Sequence, residues 1–466
     1  MNFSETGLNK IRQLSFDEVY LPDSLLTEAY VQSARNNVMA AEKPQFYEGF
    51  FSVCVDGKYH GGNDGITFPG LDWGQIMEAL LWLGQNKKVL ASWNYVKQYV
   101  RSDGKVPFVI SPLDAGRGQF EKNGALFEHW CPGNPLRMLA NVTMLQVADA
   151  ICHHNLDKDW LKNESSMLQR IVNWLEAELI TKDYLVEGAG FYAERPIRFA
   201  YDGIAQCYTA DTFSRIAELF KWIGFDQFSD HCKKIAGKIA EAFQKHFWIG
   251  DRFAEYIHPD RGQIAFHGYT DVDWAAIATG IATPKQMKIL WPNLKNNQDF
   301  YYADIPTGIS TNPQSYEPWE WEGTDRNDLA AMGRVWYLEA WARYRMKDSQ
   351  GLIQSIHKVA EIGKKRNWYW RERFYSPLTG DVGIGYNIDT YLEYPANLIR
   401  IMNQFVLGIR RELDSSITVN PCATDDMWQK GFGRFFLHQG HQIPLFYYKG
   451  KLEFTNIDSS RIHLDV

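Results

Sequence analysis

Apolar residues recur at helical spacing in about a dozen separate segments of this chain. In 226–247, for example, Ile235, Ile239 and Phe243 follow one another at intervals of four and so share one helix face. Periodic runs of this length are too long for typical strands, so the pattern predicts an all-α body. The predicted helices span 24–40, 72–84, 87–102, 135–153, 157–180, 202–224, 226–247, 273–280, 284–291, 326–346, 348–365 and 388–409.

The connections between these helices alternate in length. Short turns such as 223–226 join helices into pairs, and long loops lie between the pairs. The long loops are 41–71, 103–134, 181–201, 248–272, 292–325 and 366–387. Loops longer than about 12–15 residues are uncommon unless they are functional or disordered. Helical hairpins repeated in this way predict an (α/α)6 barrel over 20–410, with the chemistry at the end that carries the long loops.

The pattern changes to that of short strands after residue 410. The strand-like segments are 417–419, 432–438, 442–448 and 451–455, with Lys449-Gly450 as a two-residue turn between the last two. This predicts a small antiparallel sheet, too short to be an independent domain. The chain is therefore expected to divide into a catalytic barrel domain, 1–410, and a small C-terminal β-sheet appendage, 411–466.

Composition narrows the classes of partner. The chain has 466 residues, of which 45% are hydrophobic and 23% charged, as expected of a large folded body. A formal charge of -7 without a basic cluster argues against nucleic acid, and the absence of a long apolar run argues against a membrane span. Met1–Glu5 do not resemble a secretory signal. The expected location is cytoplasmic, or periplasmic or secreted if a signal peptide has been removed.

The sequence predicts no cofactor and no catalytic metal. The six cysteines show no paired spacing, which favours reduced, structural thiols. His153 and His154 are adjacent rather than one helical turn apart, and no helical His/Glu pairing resembles a zinc site. The sequence does not exclude a calcium ion bound by loop carbonyls.

Aromatic residues stand beside carboxylates in several of the long loops. The chain has 17 Trp and 24 Tyr, and examples of the pattern are Asp72-Trp73, Glu320-Trp321 and the run 368–372. A pyranose ring has an apolar face that stacks on aromatic rings and a hydroxyl rim that bonds carboxylates and Arg. The pattern predicts a site for a small carbohydrate, such as an oligosaccharide or glycoside. Tryptophans within helices, such as Trp336, are instead expected to pack in the core.

The last long loop carries the most specific motif. It reads Arg371-Glu372-Arg373-Phe374-Tyr375-Ser376-Pro377-Leu378-Thr379-Gly380. It resembles the base-bearing loop of glycoside hydrolase family 63 and related six-hairpin enzymes, and is also similar to the Trp-Glu-Arg element of α-L-rhamnosidases. The resemblance implies that Glu372 is the general base. The alternative is a surface ion pair of Glu372 with Arg371 or Arg373.

Two further segments carry weaker resemblances. The segment with Glu187 and Glu194, followed by Asp202, is similar to the third loop of debranching-type and family 63 enzymes, which carry their general acid there, usually as Asp. The resemblance makes Glu187 the first candidate acid and Glu194 the second; solvated surface carboxylates are the alternative. The segment 62–71 resembles the first loop of bacterial glycogen-debranching enzymes, which implies that Asp64 binds sugar, whereas rhamnosidases place their acid in this loop.

These resemblances imply a glycoside hydrolase that inverts configuration and acts on an α-linked sugar. One carboxylic acid would protonate the leaving oxygen and one carboxylate would activate water. Long loops that narrow the cleft to a pocket favour exo action. Asp202 also fits the N-cap of the helix that follows it. The residues expected to bind the sugar are Asp64, Asp72, Trp73, Arg195, Asp202, Trp321, Glu320 and Trp370.

Two other functions use the same barrel. A sugar epimerase, isomerase or lyase would transfer protons through loop His or Tyr residues. The histidines in long loops are His60, His129, His258 and His267. A non-catalytic sugar-binding protein would have the aromatic residues without a convergent pair of acids.

Overall fold

The structure, a computed structural model, describes residues 3–57, 65–70, 72–110, 136–188, 190–192, 196–320, 329–376, 388–454 and 462–464. Most of this part of the chain is helical. The α-helices are α1 Phe3–Arg12, α2 Ser24–Gln32, α3 Asp72–Trp82, α4 Asn86–Val96, α5 Leu139–Asn155, α6 Lys158–Leu179, α7 Gly203–Trp222, α8 Asp226–Phe247, α9 Asp271–Ala278, α10 Pro284–Leu294, α11 Gly333–Arg345, α12 Ser349–Lys365, α13 Glu393–Ile401 and α14 Asp425–Lys430. None of these helices is long and apolar enough to cross a membrane.

The helices form two concentric rings. Helices α3, α5, α7, α9, α11 and α13 pack side by side in that order, and α13 closes the inner ring by packing against α3. Helices α4, α6, α8, α10 and α12, together with α2, lie outside them. Burial follows this arrangement, because every residue of α9 is buried whereas α8 buries one face, which includes Ile235, Ile239 and Phe243. The predicted (α/α)6 barrel is confirmed.

Several helix boundaries differ from the sequence prediction for a visible reason. The predicted helix 326–346 begins only at Gly333, because Ala330 and Ala331 form a strand with residues of the last long loop. The predicted helix 24–40 is α-helical only to Gln32 and continues as a π-helix, Ser33–Val38. The Asn37 side chain donates to Gln32 O at 3.0 Å, and an inserted side chain of this kind widens a helical turn.

Short strands occupy the loops and the C-terminal region. They are β1 Tyr201–Asp202, β2 Tyr256–His258, β3 Gly262–Ile264, β4 Ala330–Ala331, β5 Phe374–Tyr375, β6 Ile409–Arg411, β7 Ile417–Val419, β8 Phe432–His438, β9 His441–Tyr448, β10 Lys451–Phe454 and β11 Ile462–Leu464. Strands β8, β9 and β10 form an antiparallel sheet as predicted, but the predicted strand 417–419, β7, lies in a separate sheet between β6 and β11, and its pairing with β11 is parallel. Lys449 and Gly450 both have positive φ, 49° and 72°, as the predicted two-residue hairpin turn requires.

The described residues of the six long loops lie at one end of the barrel, as predicted. We number them loop 1 (42–71), loop 2 (100–138), loop 3 (180–202), loop 4 (248–270), loop 5 (295–332) and loop 6 (366–392). Each loop pairs through its backbone with the next, and loop 6 pairs with loop 1. The pairings are Thr67–Ile110, Leu136–Gly190, Tyr201–Ile257, Thr270–Ser310, Ala330–Tyr375 and Tyr391–Cys54. They form a closed ring around the ends of the inner helices.

The C-terminal sheet packs against the barrel through a buried arginine. Arg434 on β8 is fully buried and donates to Asn403 Oδ1 at 2.5 Å, to Phe16 O at 3.0 Å and to Trp82 O at 3.3 Å. Trp82 is the last residue of α3, so the guanidinium also meets the negative end of that helix dipole. The sheet and the barrel share one continuous apolar core. The domain boundary near residue 410 stays a prediction.

We expect Arg434→Ala to destabilise the whole chain by roughly 3 kcal/mol, because several buried oxygens lose their donor and a cavity remains. Urea unfolding would measure the change. Arg410→Ala is the matched control, since Arg410 lies on β6, in the other C-terminal sheet, with an exposed side chain. Equal stability of the two variants would show that Arg434 does not hold the sheet to the barrel.

Candidate active site

Charged residues at the starts of three inner helices meet where the long loops lie. Asp72 is the first residue of α3, Glu393 the first of α13, and Arg334 the second of α11. Arg334 Nε lies 2.7 Å from Glu393 Oε1, and the backbone N–H of Arg334 donates to Glu393 Oε2 at 3.3 Å. The phenol of Tyr391 donates to Asp72 Oδ2 at 2.6 Å. These contacts tie α3, α11 and α13 to loop 6.

The surroundings of Asp72 disfavour its ionised form. Burial, followed by the negative charge of Glu393, raises the pKa of Asp72 to about 8. Its Oδ1 is buried and accepts no hydrogen bond from the described residues. A protonated carboxyl group can donate a hydrogen bond, which an ionised one cannot. Asp72 therefore has the chemistry to bind a ligand oxygen at the mouth.

Glu372 lies in the same region. Its side chain is buried, and its backbone N–H donates to Ile388 O at 3.0 Å. Arg373 Nη2 lies 3.2 Å from Glu372 Oε1, and both side chains are at most 5% exposed, so this is not a surface ion pair. Arg371 pairs with Asp389 at 2.9 Å instead. The charge of Glu372 contributes to the raised pKa of Asp72, so the two carboxyl groups are within electrostatic range of each other.

Loop 3 reaches this cluster. Arg334 Nη1 donates to Tyr192 O at 3.4 Å, and the guanidinium lies 5.8 Å from the Tyr192 ring centre. The neighbouring Phe191 stacks on Tyr208 of α7 at 4.8 Å. The loop predicted to carry the general acid therefore contacts the residues that surround Asp72.

Of the two glutamates predicted as the general acid, Glu187 is among the described residues and Glu194 is not. Glu187 is exposed, and its backbone N–H donates to Leu179 O at 2.7 Å. It lies close enough to Tyr201 of β1 to raise the pKa of that phenol, together with burial. Glu194 lies outside the described residues, as do Arg195, Asp64 and Trp321.

Two tryptophans predicted to touch the substrate lie in the core. Trp73 is 4% exposed and its Nε1 donates to Ser92 Oγ at 2.8 Å. Trp370 is fully buried and its Nε1 donates to Val359 O at 3.0 Å. Both indole N–H groups are thus bonded by residues of outer helices, Ser92 of α4 and Val359 of α12. The sugar-binding role of these two residues stays a prediction.

A second group of charges is buried between loops 3, 4 and 5. Arg198 binds Asp271 through two hydrogen bonds of 2.8 and 3.1 Å and lies 2.6 Å from Glu255. His267 bonds Glu255 through Nδ1, and its Nε2 lies 3.1 Å from Glu320. Each of these five side chains is at most 1% exposed. Glu320, predicted to bind the sugar, is instead part of this internal network.

Asp202 also belongs to the edge of this network. Its carboxylate accepts from Ile204 N at 2.9 Å and from Phe191 N at 2.7 Å, and it is fully buried. The N-cap of α7 predicted for it is confirmed. Its Oδ1 also lies 3.5 Å from Arg198 Nη1.

The network fixes the charge of His267. Burial lowers the pKa of His267, but the carboxylates of Glu255 and Glu320 raise it more, to about 9. Burial likewise opposes the ionised form of Glu255, but Arg198 and His267 lower its pKa to about 2. Both ring nitrogens of His267 are engaged by carboxylates, so this histidine is not available as the proton-transfer group of an epimerase.

No family model and no curated protein matches the sequence. The chain is similar to solved structures of a GH78 family rhamnosidase of Bacillus sp. GL1 (TM-score 0.69, 11% identity, covering 97% of this chain and 43% of that one), of a Streptomyces avermitilis α-L-rhamnosidase complexed with L-rhamnose (0.57, 14%, 93% and 37%), and of a bacterial glucoamylase complexed with acarbose (0.53, 10%, 82% and 55%).

The fold is that of the six-hairpin glycosidases. At identities of 14% or less the likeness shows the fold alone. The chain spans less than half the length of the two rhamnosidases. Within the described residues, no group of three His, Cys, Asp or Glu side chains is arranged to hold a metal ion.

Sequence reasoning missed part of this site. Glu393, Arg334 and Tyr391 are not among the residues predicted for the site, because they fall inside the predicted helices 326–346 and 388–409. Asp72 is among them because it precedes Trp73. The structure places Glu393 and Arg334 at helix starts that follow long loops, a position that correct helix boundaries would have revealed, whereas the partners of Arg198 could not be paired from sequence.

The buried histidine makes stability depend on pH in a defined direction. Because the pKa of His267 is higher in the folded state than its usual 6.5, its contribution is complete below pH 6.5 and is lost as pH rises through about 9. We expect His267→Gln to lower the free energy of unfolding by roughly 3 kcal/mol at pH 6, the scale for removing one partner of a buried pair.

Urea unfolding of both proteins at pH 6 and pH 9.5 would check this. The difference between wild type and His267→Gln should shrink at the higher pH. His231→Gln is the control, because His231 pairs with Glu176 on the surface of the outer helices. A difference that is the same at both pH values would mean that His267 is not charged in the folded protein.

Proposed function

We propose that this protein is a glycoside hydrolase, inverting and exo-acting on an α-linked sugar, with Glu372 as its general base. One observation carries the proposal: a buried glutamate at a motif-matched position lies near Asp72, whose pKa is raised by burial and by the charge of Glu393, at the end of the barrel where six long loops join. Carboxyl groups in different environments are what acid and base catalysis require of a site.

In this mechanism Glu372 accepts a proton from a water molecule that attacks the anomeric carbon. An acid on the opposite face of the sugar protonates the departing oxygen. Inversion requires the two carboxyl groups to be about 6.5–9.5 Å apart, to leave room for the water. Glu187 is the first candidate acid and Glu194 the second, because loop 3 contacts Arg334 through Tyr192. Asp64 would be the acid in a rhamnosidase-like arrangement.

Asp72 would bind the sugar in the innermost subsite. Its proton can be donated to a ring hydroxyl, while Arg334 and Glu393 hold the start of α13 in place. Asp64, Arg195 and Trp321 complete the proposed subsite. Since a compared structure holds L-rhamnose, α-L-rhamnosides belong in the first substrate panel together with α-glucosides.

Replacing the general base should reduce turnover strongly while substrate binding is preserved. Glu372→Gln keeps the size of the side chain but cannot accept the proton, so we expect kcat to fall by about 10²–10⁴-fold. Release of reducing sugar from aryl glycosides and disaccharides would measure it. Glu361→Gln, on the outer helix α12, is the matched control. Activity within a few-fold of wild type, in a folded Glu372→Gln protein, would refute the assignment of the base.

The acid is identified by its dependence on the leaving group. An aryl glycoside with an acidic phenol needs little protonation, so removal of the acid should spare it and slow disaccharide hydrolysis strongly. We expect this signature for Glu187→Gln and only modest effects for Glu194→Gln. If Glu194→Gln shows it, loop 3 is right and the residue is wrong; if Asp64→Asn shows it, the rhamnosidase-like arrangement applies.

A further inference from the structure

An exposed aromatic group lies on the rim formed by loops 3, 4 and 5. Phe199 in loop 3 is 43% exposed, so much of its ring is accessible to a ligand. Its ring meets His258 of β2 edge to face at 6.3 Å, and His258 meets Trp319 of loop 5 in the same way at 5.4 Å. We call Phe199, His258 and Trp319 the rim aromatics.

The rim aromatics are held in place by polar contacts. The backbone N–H of Asp260 donates to His258 Nδ1 at 3.1 Å, which leaves the ring proton on Nε2. The Trp319 indole N–H donates to the Glu317 carboxylate, and the Arg261 guanidinium lies over the Trp319 ring at 4.1 Å. Ile197 N donates to Glu320 O at 3.0 Å, which joins the segment before Phe199 to the one that bears Trp319. These contacts hold the residues around the exposed Phe199 ring in one arrangement.

Their place in the loop ring relates them to the proposed chemistry. Loop 3 is three steps around the ring from loop 6, so Phe199 and Glu372 belong to opposite sides of the mouth. In an inverting hydrolase, water attacks from the side of the base and the leaving group departs on the other side. The leaving group would therefore move toward loops 3 and 4.

We propose that the rim aromatics bind the leaving-group part of the substrate, with Phe199 as the ring on which that part stacks. This rests on the glycosidase function proposed above. The ligand class is a unit with a flat C–H or π face, such as the next sugar of an oligosaccharide or an aryl group. Arg261, Glu317 and the His258 Nε2–H supply the polar border that a sugar's hydroxyl groups need.

The test compares leaving groups of different size on the same sugar. We expect Phe199→Ala to lower kcat/KM for a disaccharide about 10-fold, mainly through KM, because stacking stabilises the bound substrate and its transition state alike. The glycosyl fluoride of the same sugar has a single-atom leaving group and should be hydrolysed at the wild-type rate. Phe199→Tyr keeps the ring and should restore disaccharide hydrolysis. An aryl glycoside in parallel distinguishes a preference for aryl groups from one for sugars.

Phe225→Ala is the matched control. Phe225 is 40% exposed, like Phe199, but lies in the short turn between α7 and α8, at the other end of the barrel. Equal losses on the disaccharide and the fluoride, or no loss on either, would overturn the proposal while leaving a glycosidase in place.

A binding measurement keeps the two proposals separable. If the wild type hydrolyses no glycoside, calorimetric titration with oligosaccharides still reports on the rim. Binding that weakens about 10-fold in Phe199→Ala and not in Phe225→Ala would support the rim site and refute the glycosidase. Absence of both hydrolysis and binding across the panel would overturn both.

Discussion

The constraint on which this structure depends is the need of every buried peptide group for a hydrogen-bond partner. Long loops cover the ends of the inner helices. The backbone N–H and C=O groups that these loops bury cannot form hydrogen bonds with water and need partners in the protein. Here each loop satisfies part of that need by pairing with its neighbour, and loop 6 closes on loop 1 through Tyr391 and Cys54. A floor of inner helices and a closed rim of paired loops together define one mouth.

Charge is distributed unequally around this rim. Loops 3, 4 and 5 share a buried network in which Arg198 and His267 bond the carboxylates of Glu255, Asp271 and Glu320. Around α3 and α13, by contrast, Asp72 has a raised pKa and a buried oxygen without a partner among the described residues. Satisfied charges rigidify a structure, whereas an unsatisfied carboxyl group is available to a ligand.

The sequence was sufficient for the barrel because hydrophobic periodicity and loop length are local properties. It also led to Glu372, because the motif around it is contiguous. It could not show that the indole N–H groups of Trp73 and Trp370 bond Ser92 and Val359, because these partners lie on separate helices. Nothing local in 320–322 revealed that Glu320 would meet His267, 53 residues earlier in the chain.

The buried network between loops 3, 4 and 5 restricts how these loops can move. A buried ion network is weak evidence for net stability, because desolvating its charges offsets much of their attraction. The network does restrict geometry. Arg198 binds Asp271 through two hydrogen bonds, and the His267 imidazole binds two carboxylates, so loops 3, 4 and 5 can move little relative to one another. Tyr256 adds a 2.5 Å bond to Glu320, so β2 is locked to loop 5 as well. We infer that the network keeps Phe199, His258 and Trp319 in one arrangement, across the loop ring from Glu372.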